Sequence, residues 1–220
     1  MAIAGYRTPA GFAETELTEK RSRFIAAVKP VATEEEALDF IKERRSLYPD
    51  ARHHVYAYDV RTEAGEYCRY SDDGEPQGTG GMPVLDVLKK RSLTGAVIVV
   101  TRYFGGTLLG AAGLVRAYSG SASMCVDKAG EAEIRLCRRC FISVDYTDSG
   151  RVRSFLETKA VSSMDLLLLD VEYGGDVKFT VSVVKDRLES FKKELVELTS
   201  SRALMEEGNE EYMRMTGERQ

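Results

Sequence analysis

The sequence predicts an α+β protein of two domains, and three observations support this prediction. The chain has 220 residues, a length that suits one large domain or two small ones. A β-branched run at Ala96–Thr101, followed by a segment rich in small residues, is typical of a strand buried on both faces beneath helices. After Ile134 the predicted elements follow the order βαββαβ of a ferredoxin-like domain. We therefore expect an α/β domain at residues 1–130 and a ferredoxin-like domain at residues 131–220.

Local patterns predict each element of the first domain in turn. Alternating polar and apolar residues across Gly11–Val28, with a charged turn at Lys20–Ser22, predict two strands joined by a tight connection. Thr33 and Glu36 form a capping-box pattern, which predicts a helix that runs to the following proline. His53–Val60 alternates again and predicts a strand, and a shorter strand follows it.

The glycine-rich middle of the chain predicts loops between buried elements. Ser71–Met82 lacks periodicity and predicts a loop, with a helix from about Pro83 because proline is favoured in a first turn. The buried strand runs into Gly105-Gly106-Thr107, and we expect the next helix to open at Thr107 and to end at about Lys128. The elements predicted for the second domain are a strand at Ile134–Tyr146, a helix at Thr147–Lys159, strands at Val161–Val171 and Val177–Val184, a helix at Asp186–Thr199 and a strand near Tyr212.

Composition and charge exclude several classes of protein. The chain is 43% hydrophobic and 30% charged, which argues against disorder and against a disulfide-built miniprotein. The 31 basic and 35 acidic residues give a net charge of −4, so a nucleic-acid contact requires a local basic patch. The charged first thirty residues and the absence of a long apolar run predict a cytoplasmic protein with no membrane partner and with free cysteines.

The glycine-rich turn is the first candidate for a binding site. Ten of the 19 glycines lie between Gly74 and Gly120, and such clustering is tolerated where backbone closely approaches a ligand or adopts positive φ. Amides at the expected helix start, with Gly105, Gly106 and the Thr107 hydroxyl, suit a phosphate or a nucleic-acid backbone. The alternative is that the glycines allow close helix packing and that Thr107 only caps the helix.

Arginines and acids near this turn extend the candidate site. Arg102 and Arg116 carry guanidinium groups suited to phosphate, but either can instead pair with the loop acids. Asp72, Asp73 and Glu75 either hold a divalent metal or brace the loop through backbone amides and arginine, and we favour the brace. We therefore expect no cofactor, with a divalent metal at these acids as the alternative.

Histidines and cysteines offer few catalytic options. His53 and His54 are adjacent on a predicted strand and point to opposite faces, so they do not share one metal ion. His53 is a candidate acid or base, with a structural role as the alternative. Cys137 and Cys140 have C-x-x-C spacing but lie in a predicted strand, where we expect core positions rather than zinc or redox chemistry. No nucleophile with an evident base appears, so we expect a non-catalytic protein.

Two long motifs resemble the IMPACT family, in its bacterial YigZ-like branch. Shorter matches include Ser22-Arg23-Phe24-Ile25 and Tyr56-Ala57-Tyr58. The long motifs are Asp72-Asp73-Gly74-Glu75-Pro76-x-Gly78-Thr79-x-Gly81-x-Pro83 and Arg102-Tyr103-Phe104-Gly105-Gly106-x-x-Leu109-Gly110-x-x-Gly113-Leu114-x-Arg116-Ala117-Tyr118. The chain departs from the family pattern at Leu108, where a lysine is common, and this departure removes one cation from the glycine turn.

The resemblance implies a fold and a functional setting. It implies an amino-terminal domain like the second domain of a small-subunit ribosomal protein, followed by a ferredoxin-like domain like one in elongation factor G. Eukaryotic members regulate translation through a kinase-activating partner and use an additional domain, so that partner is not transferred to this chain. For the bacterial branch the resemblance implies a cytosolic protein associated with RNA or ribosomes.

Three functional hypotheses follow from these features. The first is a translation-associated regulator that binds RNA or a ribosomal surface through Arg102, Gly105, Gly106, Thr107 and Arg116, without sequence-specific DNA contacts. The second is an enzyme acting on a phosphorylated small molecule or nucleotide, with a metal at the loop acids and His53 as acid or base. The third is a scaffold that binds a protein partner on its ferredoxin-like sheet or sheet edge.

Overall fold

A computed structural model describes residues 5–62, 65–163 and 165–215, apart from the side chains of Thr62 and Glu66. The described chain forms two compact units. One comprises Arg7–Ala132, and the other comprises the described residues from Glu133 to Met215 together with Gly5 and Tyr6. The predicted two-domain α+β class is confirmed. Gly5 and Tyr6 group with the second unit and not with the first domain predicted at residues 1–130.

The first unit is a five-stranded antiparallel sheet with helices on both faces. Its strands lie in the order β2-β3-β6-β4-β5. In chain order, β1 (Gly5–Pro9), which is not a strand of this sheet, is followed by β2 (Ala13–Glu19), β3 (Ser22–Pro30), α1 (Glu34–Leu47), β4 (His53–Thr62), β5 (Gly65–Ser71), α2 (Gly81–Lys90), β6 (Ala96–Tyr103) and α3 (Ala111–Ala129).

The central strand β6 is buried on both faces, as the sequence predicts. Ile98 and Val100 belong to the cluster that includes residues of α2 and α3, whereas Val97 and Val99 pack with Phe40 of α1. Alternate side chains of a strand point to opposite faces, so the β-branched run supplies both layers of the core. Helix α1 begins where the capping pattern places it, because the Thr33 hydroxyl accepts a hydrogen bond from the Glu36 amide.

The second unit is a βαββαβ fold, in agreement with the predicted element order. Its elements are β7 (Glu131–Val144), α4 (Tyr146–Ser162), β8 (Leu166–Tyr173), β9 (Val177–Val184), α5 (Leu188–Thr199) and β10 (Leu204–Met215). The sheet has the order β10-β7-β9-β8 with antiparallel pairing, and β1 also pairs with β7.

Two predicted boundaries are wrong. Helix α3 begins at Ala111, with Gly110 at its N-cap, and not at Thr107. Gly110 has a φ of +73°, a conformation that glycine adopts without steric cost, and the chain remains a loop for four residues longer than expected. Val161 lies in α4 and not in a strand, because the preceding helix continues to Ser162.

None of the helices in the described ranges is long and apolar enough to cross a bilayer.

Candidate functional site

The acidic loop, Ser71–Gly80, is organised by the carboxylate of Asp72. This carboxylate accepts hydrogen bonds from the amides of Gly78, Gly80 and Gly81 at 2.8, 2.9 and 2.8 Å. Burial raises the pKa of Asp72, but the three backbone amides outweigh it, and the net pKa lies below its usual value. Asp72 therefore braces the loop and the start of α2 as a charged group.

Glu75 joins the acidic loop to β6 and α3. Its Oε1 accepts hydrogen bonds from Arg102 at 2.5 Å and from the Tyr118 hydroxyl at 2.8 Å. The side chains of Glu75 and Arg102 are 4% and 7% exposed, so this is a buried ion pair. Burial first, and then the adjacent Glu75 charge, raise the pKa of Tyr118 far above its usual value. The two glycine-rich segments thus lie against each other in one unit.

Asp73 ties the acidic loop to β4 and α1. Its carboxylate pairs with Arg45 at 2.6 Å and accepts a hydrogen bond from the His54 amide at 2.6 Å. Its carbonyl oxygen lies 2.8 Å from Nδ1 of His53. His54 is buried beside the Thr101 hydroxyl, and desolvation, followed by the nearby charge of Arg45, lowers its pKa. Both histidines therefore have local structural partners.

Arg102 and Gly105 are placed differently from the sequence-based expectation. Arg102 is 6% exposed and is held by Glu75, so its guanidinium lies beneath the surface. The Gly105 amide donates to the hydroxyl of Ser22 at 3.1 Å and is not available to a ligand. The alternative interpretation, in which Arg102 pairs with a loop acid, describes the observed contact. Arg102 and the Gly105 amide therefore make contacts within the protein and are not exposed ligand-binding groups.

The glycine loop, Phe104–Gly110, is the exposed part of this region. Within the described ranges, the main-chain amides of Gly106, Thr107 and Leu108 have no hydrogen-bond acceptor, and all three residues are exposed. Gly106 and Gly110, on either side of buried Leu109, both have positive φ, a conformation that glycine adopts without steric cost. The loop therefore presents free NH donors beside the positive end of α3.

A basic turn, Lys20–Arg21, lies against the glycine loop. It connects β2 to β3 and has φ values of 45° and 65°, an unusual backbone for residues with side chains. A Cβ atom on Gly105 would lie 2.0 Å from the Arg21 carbonyl carbon, so the two backbones are in direct contact. Both turn side chains are exposed, and neither has an ion-pair partner in the described part of the chain.

Arg116 completes a cationic surface around a shallow cavity. The cavity has a volume of about 210 Å³. Lys20, Arg116 and one acid, Glu19, line it with the apolar residues Leu17, Leu109 and Ala117 and with Gly113. Arg116 is exposed and, like Lys20 and Arg21, has no ion-pair partner among the residues described. Three cations that have no ion-pair partner in the described part of the chain thus border the glycine loop at Gly105 and Leu109.

No sequence motif connects Lys20 and Arg21 with this loop. They are about 85 residues away in sequence and come together with it only through the pairing of β3 with β6. The available signal was the two basic residues at the tip of a predicted hairpin, where glycine or asparagine is usual. A basic pair at a tight turn projects both charges into solvent.

The geometry of the described residues does not favour the metal site at the loop acids, which was the alternative to the brace, or a reactive pair of thiols at Cys137 and Cys140. Among the described residues, no group of three His, Cys, Asp or Glu side chains is placed to hold a metal ion. Cys137 and Cys140 lie in different buried clusters, so they do not face each other. Burial raises the pKa of each thiol to about 11, which disfavours the reactive thiolate.

Asp72 makes the stability of the protein dependent on pH. Because the folded-state pKa of Asp72 is lowered, its contribution to the free energy of unfolding is full above the unfolded-state pKa of about 4 and is lost as pH falls below it. We expect Asp72→Asn to destabilise the protein at pH 7, and the difference from wild type to shrink between about pH 5 and pH 3. Urea unfolding at several pH values measures this, with Asp39→Asn as a control for loss of an exposed carboxylate. A difference that stays constant to pH 3 contradicts the proposed brace.

Fold and site together define a two-domain α+β protein with an exposed basic loop surface on its first unit. The Impact N-terminal domain matches residues 20–126, and a domain of unknown function, DUF1949, matches residues 142–202. The IMPACT family member YvyE of Bacillus subtilis is 38% identical over 211 residues, which cover 96% of this chain and 94% of that protein. The chain therefore belongs to the IMPACT family.

Two further relatives agree with this assignment. The IMPACT family member YigZ of Escherichia coli is 40% identical over 108 residues, which cover 49% of this chain and 53% of that protein. A crystal structure described as a hypothetical protein aligns over 93% of this chain and 97% of its own, with 26% identity and a TM-score of 0.59. The similarity to that structure extends over both units of the fold.

Proposed function

We propose that the protein is a non-catalytic, translation-associated regulator that binds RNA or an RNA-rich ribosomal surface. One observation supports this proposal: Lys20, Arg21 and Arg116, three exposed cations without ion-pair partners in the described ranges, border the glycine loop, which also has main-chain amides without acceptors there. Phosphate oxygens accept hydrogen bonds from backbone amides and attract arginine and lysine. The chain belongs to the IMPACT family, and the resemblance implies that eukaryotic members of this family regulate translation. Family membership therefore supports a role in translation.

The charges of the chain determine how strongly RNA is expected to bind and how the affinity depends on salt. The whole chain carries a net charge of −4, so attraction to RNA depends on this local surface. Glu19 borders the same cavity and opposes an anion there, which limits the affinity. Binding is therefore moderate, sensitive to salt and dependent on backbone rather than base sequence.

The enzyme hypothesis is not supported by a specific observation. Asp72, Asp73 and Glu75 are each engaged by amides, by arginine or by both, and His53 contacts a backbone carbonyl. These contacts favour a bracing role for the acids and a structural role for His53 over catalysis.

Removal of the three cations is expected to abolish most of the binding. We expect the combined substitutions Lys20→Ala, Arg21→Ala and Arg116→Ala to weaken RNA binding at low salt and to reduce the slope of log affinity against log salt by roughly 2, since each phosphate contact on a single strand contributes about 0.7. Fluorescence anisotropy with a labelled RNA oligomer measures both quantities, and co-sedimentation with ribosomes tests the ribosomal surface.

A variant with the same charge loss elsewhere provides the control. Lys89→Ala, Lys178→Ala and Lys193→Ala remove three exposed lysines, one on α2 of the first unit and two in the second unit. This control is expected to leave affinity and slope near wild type. Equal losses in both triple variants would show a nonspecific charge effect and would contradict the placement at the glycine loop.

A further inference from the structure

Phe104 is an exposed aromatic side chain within the same loop. Its side chain is 52% exposed, and Leu108, four residues later, is 83% exposed. Scattered exposed apolar residues are common on protein surfaces. Phe104 differs because it directly precedes Gly105 and the free amides of the glycine loop. An apolar ring and anion-binding donors therefore lie side by side.

The Phe104 ring is supported from within the protein. The guanidinium carbon of Arg102 lies 5.6 Å from its centroid and 5.4 Å from the centroid of buried Phe24. Arg102 is in turn fixed by its buried ion pair with Glu75. A ring held by such a cation–π contact loses little conformational freedom when a ligand stacks on it. The exposed part of the Phe104 ring remains accessible to a ligand.

The groups proposed to bind phosphate lie in the same loop as Phe104 or adjoin that loop. The Gly105 backbone touches Arg21, as the 2.0 Å approach of a Cβ at this position shows. Gly106 and Thr107 continue the loop with free NH groups, and Lys20 and Arg116 line the adjoining cavity. A nucleotide has the same arrangement, with a flat base next to an anionic phosphate.

We infer that the ligand of this surface is single-stranded RNA, with one base stacked on Phe104 and the adjoining phosphates on the glycine loop and basic turn. This inference rests on the proposed function and adds the form of RNA that is recognised. In a duplex the faces of each base are covered by neighbouring base pairs, so an exposed ring finds no base to stack on. Stacking on an aromatic side chain tolerates any base, which agrees with recognition through the backbone.

Tryptophan fluorescence gives a direct test, because the natural chain contains no tryptophan. We expect the single tryptophan of Phe104→Trp to be quenched by a single-stranded RNA oligomer and not by an abasic oligomer of equal phosphate number. Phe12→Trp, at a residue 57% exposed in the same unit, is the matched control and is expected to show no quenching. Quenching at Phe12 and Phe104 alike, or by the abasic oligomer, would overturn the stacking inference.

Affinity measurements separate this inference from the proposed function. Phe104→Ala is expected to weaken binding of the single-stranded oligomer by roughly 5- to 150-fold, the range expected for loss of one stacked base. Its binding of the abasic oligomer and its thermal midpoint should remain near wild type, and Phe12→Ala should change neither. If single strand and duplex bind equally and Phe104→Ala has no effect, the stacking inference fails while a phosphate-only site stands. If no RNA binds to the wild type, the proposed function fails as well.

Discussion

Substitution of Glu75 by alanine is expected to lower the free energy of unfolding by about 3–5 kcal/mol, the usual cost of leaving one member of a buried ion pair without its partner. Glu75 accepts hydrogen bonds from both Arg102 and Tyr118, and its side chain is 4% exposed. In the variant, the Arg102 guanidinium stays buried without a counter-charge. Equilibrium urea unfolding of the purified variant measures the loss.

Matched variants distinguish this cost from a general loss of charge. Glu16→Ala removes an acid that pairs with Arg23 on the surface of the same unit, and we expect a much smaller change. Replacement of both partners, Glu75→Leu with Arg102→Met, is expected to recover much of the stability because no buried charge remains. A Glu75→Ala variant as stable as wild type would contradict the assigned buried pair.

Substitution of Gly105 by alanine is expected to lower the free energy of unfolding by about 1–3 kcal/mol or more, since overpacking usually costs this amount. The new Cβ would lie 2.0 Å from the carbonyl carbon and 2.2 Å from the carbonyl oxygen of Arg21. Because both atoms are backbone, the basic turn has to move away from the glycine loop. We therefore expect weaker RNA binding in addition to a lower thermal midpoint.

A second glycine in the same unit provides the control for this effect. Gly120 lies within α3, and a Cβ at that position meets no atom within 4 Å. Gly120→Ala is expected to raise stability by about 0.5–1 kcal/mol, since alanine favours the helix, and to leave RNA binding unchanged. If Gly105→Ala behaves like Gly120→Ala, the close contact between turn and loop is incorrect.

The fold was largely predictable because its signals are local. The capping pattern at Thr33 placed the start of α1, and the β-branched run predicted the doubly buried strand β6. The start of α3 was not predictable from Thr107, because the chain uses a positive-φ glycine at Gly110 instead of a hydroxyl cap. Val161, which is 85% exposed at the end of α4, shows that a β-branched residue does not by itself begin a strand.

The candidate site was less predictable because it depends on contacts between distant segments. Glu75 and Arg102 are 27 residues apart, and no local pattern decides whether that arginine faces a ligand or a carboxylate. Lys20 and Arg116 border the same cavity, although they belong to a hairpin turn and a helix that are far apart in the sequence. Residue composition indicated a binding surface, but tertiary packing selects which cations remain exposed.

The central claim is that the glycine loop receives RNA phosphates on its free main-chain amides. Titration of isotope-labelled protein with single-stranded RNA, followed by amide chemical shifts in two-dimensional NMR spectra, tests this claim directly. We predict the largest shifts at the amides of Gly106, Thr107 and Leu108, and small shifts at Gly78, Gly80 and Gly81, whose amides already donate to Asp72. Saturable shifts confined to the second unit, with the glycine loop unchanged, would contradict the claim.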